Sequence, residues 1–356
     1  MRPGLKRALG IAFKALIVLV LLLVVAFGTY VFNNLTYHDR AMAGVKRAGF
    51  VEKDVTVGGS RIHYAEGPDN GPALLLIHGQ LMDWTGYARV LPDLAEEYHV
   101  FVVDCYGHGK SEKDPQKYSA KAMGRDLVQF IRQVIGEPVV VSGHSSGGLL
   151  AVWLTAHSPE WVRGAVFEDP PLFTTLFPRA EKTFNYVDLS TICHRFVQQR
   201  EESDFTLYYV RNSYLLKFFQ DARPGMIRYA ENYRKKHRDR PLRYWFMPPV
   251  MNEGFRTLPE YDPRFGVTFY DGSWNEGFDH AAALKKIEKP TVLILANWSY
   301  DENGILLAAM DEKDARRAHT LLKNNRLIKV DSGHNFHFEK PREFVRILLD
   351  FKKRIG

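Results

Sequence analysis

The stretch that decides the fold is Pro138-Val139-Val140-Val141-Ser142-Gly143-His144-Ser145-Ser146-Gly147-Gly148-Leu149-Leu150-Ala151-Val152-Trp153. Its first part, 138–142, is a short apolar, β-branched run of the kind that forms a strand buried on both faces. From 146 to 157 the pattern turns helical. Between them Gly143-His144-Ser145-Ser146-Gly147 matches G-x-S-x-G, and the strand before and helix after give the pattern its meaning. A nucleophile on a tight strand-to-helix turn needs small neighbours, because the chain is crowded there. The turn lifts the hydroxyl clear of the sheet, and the helix N-terminus adds backbone donors and the positive end of a dipole. Ser145 is the candidate nucleophile. Ser146 fits less well, since the residue two before it is His144 rather than glycine.

Outward from this stretch, β-rich runs occupy 54–57, 61–65, 73–77, 99–104, 138–142, 163–168, 291–296 and 326–331. Helical patterns lie between them at 86–96, 120–135, 146–157, 308–323 and 341–354. Strand–helix alternation predicts a mainly parallel α/β sheet with helices on both faces. The alternation stops over 172–280, which holds half of the chain's aromatic residues and patterns for helices near 204–220 and 224–237. That is long for a loop, so it is expected to be a helical insertion over the sheet. Its aromatics either pack the insertion onto the core or line an apolar pocket, with Tyr208, Tyr209, Tyr214, Phe218 and Phe219 as candidates for the second role. The basic run Arg234-Lys235-Lys236-His237-Arg238, continuing to Arg240 and Arg243, reads as a solvated helix end or as a contact for anionic headgroups.

A serine hydroxyl needs a general base. The candidate is His334, in Asp331-Ser332-Gly333-His334-Asn335-Phe336-His337, just beyond the last expected strand. His337 competes with it. The base in turn needs a carboxylate to fix its tautomer and stabilise imidazolium. Asp301, beyond the strand at 291–296, is the candidate; Glu302 and the pair Glu168 and Asp169, at the end of an earlier strand, are the alternatives. Two backbone donors are expected for the oxyanion: the N–H of Ser146 and the N–H of Gln80 in His78-Gly79-Gln80.

These landmarks carry a resemblance. His78-Gly79-Gln80, Asp104-Cys105-Tyr106-Gly107-His108-Gly109-Lys110-Ser111, Gly143-His144-Ser145-Ser146-Gly147-Gly148 and Gly333-His334, in that order, make the chain similar to the α/β-hydrolase fold family from about residue 50 to its end. The resemblance implies an eight-stranded, mainly parallel sheet and a cap inserted after the sixth strand. It implies a core of 50–171 and 281–356 with a cap of 172–280. It supports Ser145 as nucleophile, Asp301 as acid and His334 as base, and makes Asp104–Ser111 a structural turn. Epoxide hydrolases and haloalkane dehalogenases of this family use an aspartate where Ser145 stands. The expected activity is therefore hydrolysis of an ester-like acyl bond through an acyl-enzyme. Aminopeptidase or thioesterase activity of the same fold, and a non-catalytic binding protein, are the alternatives.

The first 49 residues read differently, as a membrane anchor, with the span at about 15–32, and a linker. Ala15 to Phe32 carries no charge and is almost wholly apolar. Eighteen residues rise about 27 Å as a helix, against a hydrocarbon core of about 30 Å. Tyr30, Phe32 and Tyr37 stand where interfacial aromatics belong. Arg2, Lys6, Arg7 and Lys14 precede the run, whereas Arg40, Lys46 and Arg47 follow at a distance, which favours an inside N-terminus and a catalytic domain outside. Ala26-Phe27-Gly28 would also allow cleavage of a signal peptide and secretion, but the run is longer than a typical signal core.

Composition sets the remaining bounds. With 356 residues, 46% hydrophobic and 25% charged, the chain is an ordinary globular one. A net charge of +7 does not mark a nucleic-acid binder. The expected partners are a small acyl substrate and, through the N-terminal helix, the bilayer; no obligatory protein partner is inferred. No cofactor and no metal are expected. Gly109-Lys110-Ser111 lacks the glycine that a phosphate loop would place at Asp104. His334, His337 and Glu339 do not form an H-E-x-x-H set. Cys105 and Cys193 are expected to be buried free thiols.

Overall fold

In the computed structural model, which describes residues 3–238 and 240–356, eight strands form one sheet. They are β1 Val51–Val57, β2 Ser60–Glu66, β3 Ala73–Ile77, β4 His99–Val103, β5 Val139–His144, β6 Val162–Glu168, β7 Thr291–Leu295 and β8 Asn325–Lys329. The sheet order is β1-β2-β4-β3-β5-β6-β7-β8. The β1–β2 and β2–β4 pairs are antiparallel and all the others are parallel, as the alternation of elements predicts. Every residue of β3, β5 and β7 is buried.

Alternate residues of these strands enter opposite apolar layers, which is what a period of two requires. Leu75, Ile77, Val139, Val141, Phe167 and Leu293 face one layer. Leu74, Leu76, Val140, Val166, Val292 and Ile294 face the other. The first layer is closed by α3 (Ala120–Phe130), α4 (Ser146–His157) and α11 (Glu312–Leu321). The second is closed by α2 (Leu91–Ala95), α12 (Phe336–Glu339) and α13 (Pro341–Ile355). In α13 the buried Phe344, Val345, Leu348 and Phe351 share one face, and Lys352, Lys353 and Arg354 fill the last turn, where a helix favours positive charge.

Between β6 and β7 the chain forms α5 (Thr191–Gln198), α6 (Phe205–Asn212), α7 (Arg223–Lys236), α8 (Pro249–Arg256), α9 (Pro263–Tyr270) and α10 (His280–Lys286). The expected helix at 204–220 breaks after Asn212 and resumes as a 3₁₀ stretch at Leu215–Ala222. The apolar side chains of this region, such as Phe205, Tyr209, Phe255 and Trp274, belong to the same layer as Leu75 and Phe167. The insertion therefore has no separate core. Arg234, in the basic run, is buried and donates to Asp204 at 2.8 Å, so that run is not simply a solvated end.

The N-terminal helix, α1, runs from Pro3 to Arg47. Arg2 and the side chains of Lys6 and Arg7, three of the basic residues ahead of the apolar run, lie outside the described residues. The helix contains a stretch long and apolar enough to cross a membrane, compatible with an anchor or a signal sequence. Residues 33–49 are not a loose linker. Asn34, Tyr37 and Val45 are buried against the body, where α1 meets α8 and α2. Each buried apolar side chain of this size contributes about 1.5–3 kcal/mol. Deleting residues 1–26 should leave the melting temperature of the domain nearly unchanged, while deleting 1–47 should lower it by about 5 °C or more; differential scanning calorimetry of the two truncations checks this.

Candidate functional site

Ser145 sits at φ 54° and ψ −123°, between the end of β5 and the start of α4. Such a conformation for a non-glycine residue costs on the order of 1–3 kcal/mol and persists only where the surroundings enforce it. They do so here. The Ser145 N–H donates to the Glu168 carbonyl at 2.9 Å, tying the turn to the end of β6. A Cβ on Gly143 would lie 2.1 Å from the Gly147 carbonyl oxygen, and one on Gly147 would lie 2.3 Å from that of Ile77. The two glycines of G-x-S-x-G are thus steric necessities.

His334 and Ser145 line one cavity of about 380 Å³ beneath the inserted helices. His334 Nδ1 lies 2.6 Å from Asp169 Oδ2. Asp169 is the residue directly after β6, is buried, and has φ 42°. Its backbone N–H donates to Ile294 at 3.0 Å and its Oδ1 accepts the Ala296 N–H at 3.2 Å, so the end of β7 fixes the carboxylate. Burial lowers the affinity of His334 for a proton, but the hydrogen bond and charge of Asp169, helped by Glu168 and Glu339, outweigh it and raise its pKa above 6.5.

Asp301 is placed elsewhere. Its Oδ2 accepts the Tyr214 hydroxyl, and its Oδ1 accepts the N–H groups of Asn303 at 2.9 Å and Ile305 at 2.8 Å. The carboxylate organises its own loop and fastens that loop to the insertion. The expectation that Asp301 partners His334 is therefore corrected in favour of Asp169, which had stood as an alternative. The neighbouring β6 and β7 both end at the His334 loop, and the residue adjoining its strand reaches the imidazole first. Glu302 is exposed. Glu168 serves the other histidine: its Oε1 accepts both the backbone N–H and Nδ1 of His337 at 2.8 Å, and both side chains are fully buried.

His144 joins the two ends of the site. Burial, followed by the nearby His334 and His337, holds its pKa well below 6.5, so the ring is neutral. Its Nε2 lies 3.0 Å from the His334 carbonyl, which can only accept; the proton is therefore on Nε2. The residue preceding the nucleophile thus grips the backbone of the histidine loop. His144, Glu168 and His337 have potential ligand atoms within 4.8 Å of one another. In this structure they work as hydrogen-bonding groups behind the turn.

The loop after β3 reaches the same cavity with Gln80. A Cβ on Gly79 would lie 2.7 Å from Ser145 Cβ, so only glycine lets this loop approach Ser145. Burial lowers the pKa of His78 to about 4; its Nδ1 faces the Gly79 carbonyl at 2.8 Å while its Nε2 accepts the Cys105 N–H at 3.0 Å. At the far end of the loop Asp83 takes two hydrogen bonds from Arg256 at 2.8 and 2.9 Å. Ser146, the other expected oxyanion donor, opens α4 beside Ser145.

Of the five aromatics proposed for the pocket, Tyr209 lines the cavity. Tyr214 is bound to Asp301, Phe218 is exposed, and Tyr208 and Phe219 pack on the core. Phe184, Leu189, Leu215, Val250 and Met251 supply apolar wall instead. Asp188 and Glu253 also stand on that wall, yet both are engaged: Asp188 with Tyr209, Ser213 and the Leu215 N–H, Glu253 with Arg256. Both cysteines are free and buried.

The sheet order, the strained serine turn and the histidine at the sheet's C-terminal edge define the α/β class of hydrolases. The chain belongs to the alpha/beta hydrolase family, whose model matches residues 74–347. It is 25% identical over 297 residues to a protein of Bacillus subtilis (strain 168) named "Putative 2-succinyl-6-hydroxy-2,4-cyclohexadiene-1-carboxylate synthase", covering 80% of this chain and 92% of that one. It is 24% identical over 318 residues to bifunctional epoxide hydrolase 2 of Sus scrofa, covering 82% of this chain and 53% of that one. Among solved structures, a membrane phospholipase A, described as a bacterial virulence factor, matches with a TM-score of 0.60 at 24% identity, covering 96% of this chain and 98% of that one.

The two carboxylates make opposite predictions. Asp169→Asn should lower kcat by about 10³–10⁴-fold, while Asp301→Asn should stay within about threefold. Because protonated His334 cannot accept a proton, kcat/KM should fall as pH drops through its raised pKa, with a midpoint above 6.5. In Asp169→Asn the residual activity should show that midpoint at lower pH; pH–rate profiles of the three proteins check all of this.

Proposed function

We propose that the protein is a membrane-anchored serine hydrolase that cleaves carboxylic esters of apolar, lipid-like acyl substrates. The observation that carries this reading is the meeting of Ser145, on its strained turn, with the Asp169-backed His334 in one mostly apolar cavity. Glu253 is paired with Arg256, and Asp188 already accepts hydrogen bonds from Tyr209, Ser213 and the Leu215 N–H, which favours an acyl chain over an aminoacyl group. The anchor and the fold-level match to a membrane phospholipase A point the same way.

In this mechanism Ser145 Oγ attacks the ester carbonyl while His334 Nε2 takes its proton. Asp169, hydrogen-bonded to Nδ1, holds the tautomer with Nε2 free and stabilises the imidazolium that forms. The N–H groups of Gln80 and Ser146 receive the oxyanion, a service worth about 2.7–4 kcal/mol per donor. His334 then protonates the departing alcohol. Water, activated by the same nitrogen, releases the acid from Ser145.

A fluorophosphonate probe followed by peptide mass spectrometry should place its label on Ser145. Ser145→Ala should take hydrolysis of p-nitrophenyl esters down by about 10⁵-fold or more. A panel of esters, thioesters and aminoacyl amides should show the esters turned over fastest. Labelling at another residue, or preference for aminoacyl amides, would refute the assignment.

A further inference from the structure

The apolar half of α1 touches the insertion at Arg243–Met247, the segment that joins α7 to α8. The Trp245 ring lies edge-on to Phe27 with centroids 5.8 Å apart. The Phe246 carbonyl accepts the Tyr30 hydroxyl at 2.8 Å, and the Trp245 carbonyl accepts Asn34 Nδ2 at 2.9 Å. Arg243 donates to the Leu35 carbonyl at 2.7 Å and reaches the Asp39 carboxylate at 3.4 Å. Phe27 and Tyr30 belong to the apolar run 15–32. At about 1.5 Å per residue, Phe27 lies about 7.5 Å deeper than Phe32, the end of that run. Trp245 thus reaches from the end of the apolar run, where its carbonyl meets Asn34, into the outer acyl chains, where its ring meets Phe27, with Arg243 on the watery side. This is the placement that indole and guanidinium groups take at an interface.

The backbone supports the same depth. Irregular chain at the level of lipid survives only where its polar groups are met inside the protein. The Arg243 carbonyl accepts the Tyr229 hydroxyl, and those of Tyr244 and Met247 accept Asn252 Nδ2. With Asn34 and Tyr30 on the next two, all five carbonyls from Arg243 to Met247 have side-chain or main-chain donors. None needs water. The Trp245 side chain nevertheless stays 38% exposed, facing outward beside the exposed Phe27. The segment leads straight into α8, whose Val250, Met251 and Gly254 form one wall of the cavity.

We propose that Arg243–Met247 is a membrane-docking wedge: it seats Trp245 in the phospholipid leaflet that α1 crosses and holds the α8 wall against the bilayer, so that an acyl chain enters the cavity directly from the lipid. This deepens the proposed function and rests on its anchored-esterase reading. The full-length protein is reconstituted in phosphatidylcholine vesicles for the test. Phosphatidylcholine brominated high on its acyl chains should quench tryptophan fluorescence, and Trp245→Phe should remove most of the quenched component. Trp245→Ala should lower kcat/KM for a long-chain fluorogenic ester embedded in the vesicles by about tenfold, equivalent to about 1.4 kcal/mol. Its hydrolysis of water-soluble p-nitrophenyl butyrate should stay within about twofold, which also shows that the variant folds. Quenching that is unchanged in Trp245→Phe overturns the wedge, as does equal loss on both esters or release of the protein by alkaline carbonate. The quenching readout does not depend on turnover. A wild-type protein that cleaves neither ester but shows Trp245-dependent quenching would sink the esterase reading and leave the docking intact.

Discussion

The parallel ladder between β5 and β6 runs one hydrogen bond past the strands, from the Ser145 N–H to the Glu168 carbonyl. Much of the site hangs on that bond. It closes the turn that gives Ser145 its positive φ, and it brings the end of β6 level with the nucleophile. The next residue along is then Asp169, already at the right height to meet His334. The side chain of Glu168 turns the other way and receives His337, which fixes the far end of the same histidine loop. His144 completes the connection by gripping the His334 carbonyl. The candidate nucleophile, base and acid are thus carried by one sheet edge.

Much of this was legible in the chain. The serine turn announces itself through its two glycines: a Cβ on Gly143 would meet the Gly147 carbonyl four residues on, and one on Gly147 would meet the Ile77 carbonyl at the end of β3. The buried strands announce themselves as continuous apolar runs, since helices cover both faces. The carboxylate that meets His334 does not announce itself. Asp169 and Asp301 both follow strands and both satisfy the order serine, acid, histidine. Their difference is spatial: one carboxylate faces the imidazole while the other is spent on Tyr214 and its own loop. The adjacency of Asp169 to the strand end was the available signal, and aspartate's tolerance of positive φ suits it to that corner.

The second half of α1 was hidden for a related reason. Beyond Phe32 the sequence becomes mixed and reads as a linker, because only three of its side chains, Asn34, Tyr37 and Val45, are fully covered. Their spacing puts them on one helical stripe, too narrow to stand out among polar neighbours. The aromatic insertion misled in the opposite direction. Its rings are abundant, but most build the shared apolar layer, and aliphatic side chains form more of the cavity wall.

Both cysteines are buried, and burial pushes each thiol's pKa far above its ordinary value. Thiolate is the form that attacks oxidants and disulfides. The domain therefore neither gains a crosslink in an oxidising compartment nor loses one in a reducing one. The packing around Cys105 and Cys193 holds no crosslink, so it asks for neither an oxidising nor a reducing compartment.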